Sequence, residues 1–251
     1  MSNDLLNPNA DEWERKQLFE DGGRNQHPWY QSRSECVLSI IKKIKPQNLA
    51  DIGSSDMFLT KKVKDFVAEN IYAVDLIFPE NGVTSDDGIK CLRYIKDLPD
   101  SEIDCISMLD VLEHIEDDVS FYKEAVAKLK SGGTILVTVP AFQFLFSAHD
   151  ERARHIRRYN RKQLLQLLKQ DDIEVQYCHY FYTSLFKMRL LSSLRKKNYS
   201  GDSNNWKYSE KHLITIFFKS LLDFDFWLNK TFNKIGIRFP GLSLIAVCRK
   251  K

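Results

Sequence analysis

The chain lacks most of the features that would assign it at a glance. Charge is nearly balanced, with 37 Lys and Arg against 34 Asp and Glu and a net charge of +3. The strong one-sided basic excess with which nucleic-acid binders meet phosphate is missing, so no nucleic-acid partner is expected. Five cysteines (Cys36, Cys91, Cys105, Cys178, Cys248) are odd in number, scattered and without a CxxC pair. Neither a disulfide framework nor a zinc site follows, and a reducing cytoplasm fits best. The N-terminal "MSNDLLNPNADEWERKQ" has no apolar core of the kind a secretory signal needs, and no apolar run reaches the length of a membrane span. Internal repeats and low-complexity tracts are absent, and so is the G-x-G-x-x-G loop that cradles a pyrophosphate, which disfavours an NAD-dependent oxidoreductase.

What is present is alternation. At 251 residues, 43% hydrophobic and 28% charged, the chain can build one large domain with a proper core. Apolar, β-branched runs predict strands at Leu49–Gly53, Ile71–Leu76, Ile103–Leu109, Thr134–Val139, Glu174–Phe181 and Leu242–Arg249, with a short one around Ile89–Leu92. Between them, "SECVLSIIKKI", "LTKKVKDFVAE", "VSFYKEAVAKLK" and "RKQLLQLLKQ" place apolar residues at helical spacing. The third of these stops at "SGG", where Gly132 or Gly133 is expected to cap the helix. Strands alternating with helices predict an α/β fold with a mainly parallel sheet. A polar stretch after Leu194, "RKKNYSGDSNNWKYSEK", reads as a surface excursion, because the strand-like C-terminus has to return to the sheet.

Two constellations carry chemistry. The first strand ends in Asp51-Ile52-Gly53 and turns into a helix, which aims backbone N–H groups at a ligand on the carboxyl edge of the sheet. About twenty residues on, Asp75 closes the second strand, where a carboxylate can accept both hydroxyls of a ribose. The pair points to a nucleoside-containing cofactor. The second constellation is the loop "VPAFQFLFSAHDERARHIRRY", Val139 to Tyr159, which follows a buried strand and gathers His149, Asp150, His155, Arg157, Arg158 and Tyr159. A polar loop so placed usually holds chemistry.

With "DCISMLDVLEHIEDD" added, the chain resembles the class I S-adenosylmethionine-dependent methyltransferases, which carry a glycine loop, an acidic residue ending the second strand and often a "DVLEH" segment. "HPWYQSR", "VPAFQFLFSAHDERARHIRRY" and "GLSLIAVCRK" are similar to the motifs of a bacterial subgroup of that family, so the resemblance covers most of the chain. It implies a Rossmann-like, seven-stranded, mainly parallel sheet with the last strand antiparallel and helices on both faces. One domain over 1–251 is expected, comprising a helical cap (1–45), a cofactor core (46–182), a helical lid or insertion (183–240) and a final strand (241–251).

The resemblance implies that Asp51, Gly53, Ser54, Ser55 and Asp56 line the methionine portion of S-adenosylmethionine and that Asp75 and Leu76 meet the nucleoside. Leu109 and Asp110 are placed beside the ligand, Trp29 as its cover and Arg33 against its carboxylate. The family's second and third loop glycines are replaced by Ser55 and Met57. A left-handed Ser55 would cost about 1–2 kcal/mol, and Met57 would add bulk beside the cofactor; Asp56 also reads as a helix cap. His149, His155 and His114 are the candidate catalytic groups, with His149 ranked first because it follows the Thr134–Val139 strand. Asp150, Arg157, Arg158 and Tyr159 are candidate acceptor-binding residues, with holding Asp150 or the loop itself as the alternative role of Arg157 and Arg158. A secondary metal reading places Asp110, Glu113, His114 and His149 around a divalent ion. From His212 to Ile235 a long apolar stripe (Leu213, Phe217, Leu221, Phe224, Leu228, Phe232) suits a lid, a dimer contact or a peripheral membrane contact.

The function expected is O-methylation of a small molecule, a glycan or a lipid-linked glycan intermediate in polysaccharide synthesis, in the cytoplasm or at the inner face of a membrane. The rival expectation is a catalytically silent binding protein with a degenerate cofactor loop.

Overall fold

The computed structural model describes residues 27–194 and 213–251. The N-terminal segment and the polar stretch after Leu194 lie outside the described residues. Strands form at Asn48–Ile52 (β1), Asn70–Val74 (β2), Val83–Thr84 (β3), Lys90–Leu92 (β4), Ile103–Leu109 (β5), Leu129–Pro140 (β6), Ile173–Phe181 (β7) and Ser243–Lys250 (β8). They make one sheet of order β3-β4-β2-β1-β5-β6-β8-β7. The run from β4 to β6 is parallel, and β8 enters antiparallel between β6 and β7. The expected seven strands are all present. An eighth, the two-residue β3, is added antiparallel at the β4 edge.

The helices are Pro28–Ile44 (α1), Phe58–Lys62 (α2), Asp118–Lys128 (α3), Ala148–Arg152 (α4), Arg161–Leu168 (α5), Thr183–Leu194 (α6) and Leu213–Lys234 (α7). Local chemistry sets several of their starts. Pro28 opens α1, where its missing N–H is not needed, and the His27 Nδ1 accepts from the Trp29 amide at 3.2 Å. Asp117 accepts from the Ser120 amide at 3.0 Å to cap α3, while Asn160 and Gln163 close a reciprocal capping box on α5.

Two expectations are corrected. The helix expected through Glu69 ends at Lys62 and continues only as a 3-10 turn, Lys64–Phe66. The chain leaves it because Ala68 and Glu69 donate to the Pro46 and Gln47 carbonyls, aligning the chain for β2 beside β1. Gly132 does adopt a positive φ, +77°, yet α3 has already stopped at Lys128. The residue sits instead where the β5–β6 register shifts.

Both faces of the sheet are buried, so its central strands are apolar almost throughout. Successive β5 residues serve opposite sides: Ile106 packs with Tyr122, Val137 and Leu164, whereas Cys105 packs with Val37, Ile41, Leu49 and Phe78. All five cysteines are free and buried. At the mouth of β8, a Cβ on Gly241 would stand 2.1 Å from the Phe181 carbonyl oxygen, so only glycine lets the two backbones pass.

In α7 the packed face is Leu222 and Phe226, which join Cys36, Phe181, Tyr182 and Ile245. Asp225 on the same face accepts from the amides of Thr183 (3.1 Å) and Ser184 (2.7 Å) and so caps the neighbouring helix α6. The stripe seen in the sequence points largely the other way, with Phe217 65% exposed and Leu213 and Phe224 also open to solvent. Among the described residues no helix is long and apolar enough to cross a membrane.

Candidate active site

The loop after β1 decides whether a nucleotide can sit on the sheet edge. Gly53, Ser55 and Met57 all take the left-handed conformation, with φ of +74°, +48° and +59°. The three-residue rhythm of a glycine loop is therefore kept although two of its glycines are not. A Cβ on Gly53 would come within 2.4 Å of Val111 Cγ2, so that position is closed to other residues. The Ser55 amide donates to Asp75 Oδ2 at 2.8 Å and the Ile77 amide to Asp75 Oδ1 at 3.2 Å, which ties the loop to the end of β2.

The anticipated bulk of Met57 does not reach the site. Its side chain, 1% exposed, turns down into the core with its sulfur 3.7 Å from Cys91 Sγ. Asp56, one residue ahead of the α2 N-cap Met57, accepts from the Phe58 amide at 3.2 Å. Asp51 lies beneath the loop, accepting from Thr60 Oγ1 and Ser107 Oγ at 2.7 Å each. Burial pushes its carboxyl up to about 6 against the pull of those two hydroxyls. It braces the loop against β5. Ser54 is buried with its hydroxyl unpartnered, whereas Leu76, 54% exposed, stands beside Asp75 at the open edge.

The opposite wall comes from α1 and the end of β5. Arg33 stacks its guanidinium 4.5 Å from the centre of the Trp29 ring and pairs with Asp110. Asp110 has φ +56° and also accepts from Thr138 Oγ1 at 3.2 Å. The buried Arg33 Nε has no partner. Leu109, half-buried, continues this wall.

The long loop after β6 folds inward. Asp150 is fully buried and receives Arg158 Nε at 2.7 Å and His155 Nδ1 at 3.0 Å, after capping its own helix α4 through the Ser147 amide at 2.9 Å. Its carboxyl is held well below the ordinary range: burial opposes ionisation, but the hydrogen bonds from His155 and Arg158 outweigh it. Arg157 binds Asp118 and the Glu116 carbonyl, both at 2.8 Å, and the Tyr159 hydroxyl donates within the core toward the Leu112 carbonyl and Asp118. The four residues expected to contact an acceptor thus hold the loop in shape from within.

Their work presents His155. Its Nε2 stands 3.9 Å from Glu113 Oε1, and its ring meets that of His114 edge-on with centroids 4.8 Å apart. Glu113 is 0% exposed, and neither carboxylate oxygen has a hydrogen-bond partner from another residue. Burial, then the neighbouring Asp110, drives its carboxyl well above the ordinary value. Partial desolvation, then His155, lowers the pKa of His114. His149, ranked first from sequence, is exposed on α4; His155 is the histidine gathered with Glu113. The sequence reading missed Glu113 as a catalytic candidate, though an acid between Leu112 and Ile115 is a usable signal of a buried carboxylate. Thr60, Ser107, Val111 and Thr138 left no such signal.

The cradle fits S-adenosylmethionine. Gly53 lets the loop pack closely on Val111, Asp75 stands where a ribose would bind, and two buried polar atoms, Ser54 Oγ and Arg33 Nε, await a partner of the kind an amino-acid end provides. Glycine-rhythm loop, acidic strand end and parallel sheet together define a Rossmann-like methyltransferase. A family model described as "Methyltransferase domain" matches residues 18–177. The chain belongs to that family and is an S-adenosylmethionine-dependent methyltransferase.

Solved structures agree on the fold. A complex of the Haloferax volcanii Trm112 methyltransferase activator with a candidate methyltransferase is 13% identical, covers 96% of this chain and 98% of its own, and has a TM-score of 0.59. A candidate sarcosine dimethylglycine methyltransferase from Galdieria sulphuraria is 14% identical, with 96% and 98% covered and a TM-score of 0.54. Phosphoethanolamine N-methyltransferase 2 of Haemonchus contortus, solved with S-adenosyl-L-methionine, is 16% identical, with 97% of this chain and 60% of that one covered and a TM-score of 0.52. No curated protein sequence matches the chain.

Proposed function

We propose that this methyltransferase acts on a hydroxyl of a small molecule, or of a glycan or lipid-linked glycan intermediate. The observation that carries the reading is the Glu113–His155–Asp150 group, a carboxylate and an oriented imidazole beside Asp110 at the edge of the sheet. Transfer to a hydroxyl must dispose of a proton, and a carboxylate with an oriented imidazole suits that task.

The donor supplies a methyl group already activated on a sulfonium, which leaves alignment and proton removal to the protein. Gly53, Ser54 and Ser55 line its amino-acid portion, Arg33 Nε meets its carboxylate, Asp75 and Leu76 take the nucleoside and Trp29 covers it. The acceptor enters over the 141–159 loop. Bound S-adenosylmethionine would supply the methyl group to the acceptor oxygen and leave as S-adenosylhomocysteine, and the Glu113–His155 cluster would take the hydroxyl proton. Asp150 and Arg158 position that cluster and do not touch substrate.

The exposed apolar flank of α7 supports a lipid-linked acceptor. Phe224 stacks on Trp227, 57% exposed, and Lys230 feels the nearby charges of Lys43 and Lys234. Aromatics beside lysines are the composition of a seat on an anionic membrane surface. Flotation with anionic vesicles should carry part of the protein upward, and none should rise if the seat does not exist.

The deciding experiment titrates the protein calorimetrically with S-adenosylmethionine and S-adenosylhomocysteine, then screens hydroxylated acceptors with a labelled methyl donor. Micromolar binding that is lost in Asp75→Ala, followed by label on an acceptor oxygen, is the expected result. A folded protein that binds neither compound would be the silent binding protein instead.

A further inference from the structure

We propose that Glu113, His114 and His155 form a site for one divalent transition-metal ion. Each offers a ligand atom, and these atoms lie within 4.8 Å of one another. The Glu113 carboxylate is sealed from water without a hydrogen bond from any other residue. Such burial is expensive for a bare carboxylate and is ordinarily offset by hydrogen-bond donors or a bound cation; no donor from another residue reaches either oxygen here.

The His155 imidazole is already oriented for a ligand. His155 uses Nδ1 on Asp150, leaving Nε2 on the side of Glu113. The His114 ring lies beside the Arg154 backbone and meets the His155 ring edge-on. One nitrogen anchored to an outer carboxylate or carbonyl while the other faces inward is the arrangement that metal-ligating histidines require. Metal–ligand bonds of about 2.0–2.2 Å put neighbouring ligand atoms about 3–3.5 Å apart, so binding draws the three side chains inward by about an ångström.

One carboxylate and two imidazoles select the zinc, iron and cobalt group over magnesium or calcium, which prefer all-oxygen shells. The set differs from that expected of the sequence by two members. Asp110 is committed to Arg33 and Thr138, and His155 takes the place of the exposed His149. Three protein ligands leave positions at which an acceptor hydroxyl can coordinate; with Glu113 and His155 committed as ligands, that hydroxyl loses its proton to solvent, which replaces proton transfer to the Glu113–His155 cluster in the metal-loaded protein. That role rests on the methylation reading, whereas metal binding does not.

The test uses the full chain stripped with a chelator and titrated with Co²⁺, followed by its visible d–d absorption and by X-ray absorption. One cobalt per chain with two imidazole ligands, displaced by Zn²⁺, is expected. His114→Ala, His155→Ala and the near-isosteric Glu113→Gln should each weaken binding by at least about 10-fold, with circular dichroism confirming the fold, while His149→Ala titrates as wild type. No d–d band, or a titration unchanged in folded His114→Ala and Glu113→Gln, overturns the site. Full methylation by metal-free protein overturns the catalytic role, and the separate cobalt readout keeps failure of the site distinct from failure of the methylation reading.

Discussion

Ser55 and Met57 occupy the same left-handed backbone region, yet replacing each by glycine should move stability in opposite directions. A non-glycine residue in that region carries about 1–2 kcal/mol of strain, which glycine relieves while adding about 0.5–1 kcal/mol of unfolded-state freedom. Ser55, half-buried with φ +48°, loses little packing on substitution, so Ser55→Gly should leave stability unchanged or raise it by up to about 1 kcal/mol. Met57 is 1% exposed and packs beside Cys91, and removing a buried methionine side chain costs about 2–5 kcal/mol. Net of the relieved strain, Met57→Gly should destabilise by about 1–4 kcal/mol, a fall in Tm of several degrees in a chain of this size. Urea denaturation of both variants beside wild type measures the two effects under one condition. A Met57→Gly protein as stable as wild type would refute the argument, since the side chain would then contribute nothing where it is buried.

Two further predictions concern the same loop. Gly53→Ala should abolish measurable S-adenosylmethionine binding while leaving the protein folded. The added Cβ meets Val111 and is held at φ +74°, so Gly53→Ala/Val111→Ala should recover only part of the affinity in calorimetry. Asp51 titrates from 3.8 in its ordinary state to about 6 when folded, which means that the native state binds the proton more tightly. Stability should therefore fall by about 3 kcal/mol as pH rises from about 4 to about 6 and then level off, with Asp51→Asn lacking that component. Denaturant titrations of both proteins across that interval check the sign, and parallel profiles would contradict it.

The sheet was largely legible because buried parallel strands leave continuous apolar runs such as "IDCISML", whose bounds match β5. The helix after Phe58 was misjudged because its apolar spacing persists past Lys62, and only pairing of 68–69 with the β1 entry ends it. In the site, the glycine loop and Asp75 could be found by spacing. His155, Asp150 and Arg158 were legible as members of one polar loop, but the geometry that turns His155 toward Glu113 was not: it depends on a turn in which Arg154 adopts φ +56°, a choice local propensity does not favour for arginine. The exposed stripe of α7 shows the same limit. Helical periodicity identifies an apolar face without saying whether protein covers it, and here Leu222, Asp225 and Phe226 take the inner side.

The position of β8 governs how the molecule can be made. It hydrogen-bonds β6 on one side and β7 on the other, although it is the last strand in the chain. During synthesis β6 and β7 leave the ribosome with a gap between them and two bare strand edges flanking it. That gap stays open until residues 243–250 arrive. A nascent chain stalled within α7 would thus display open edges of the kind that invite aggregation, and the sheet is sealed only when β8 enters between β6 and β7.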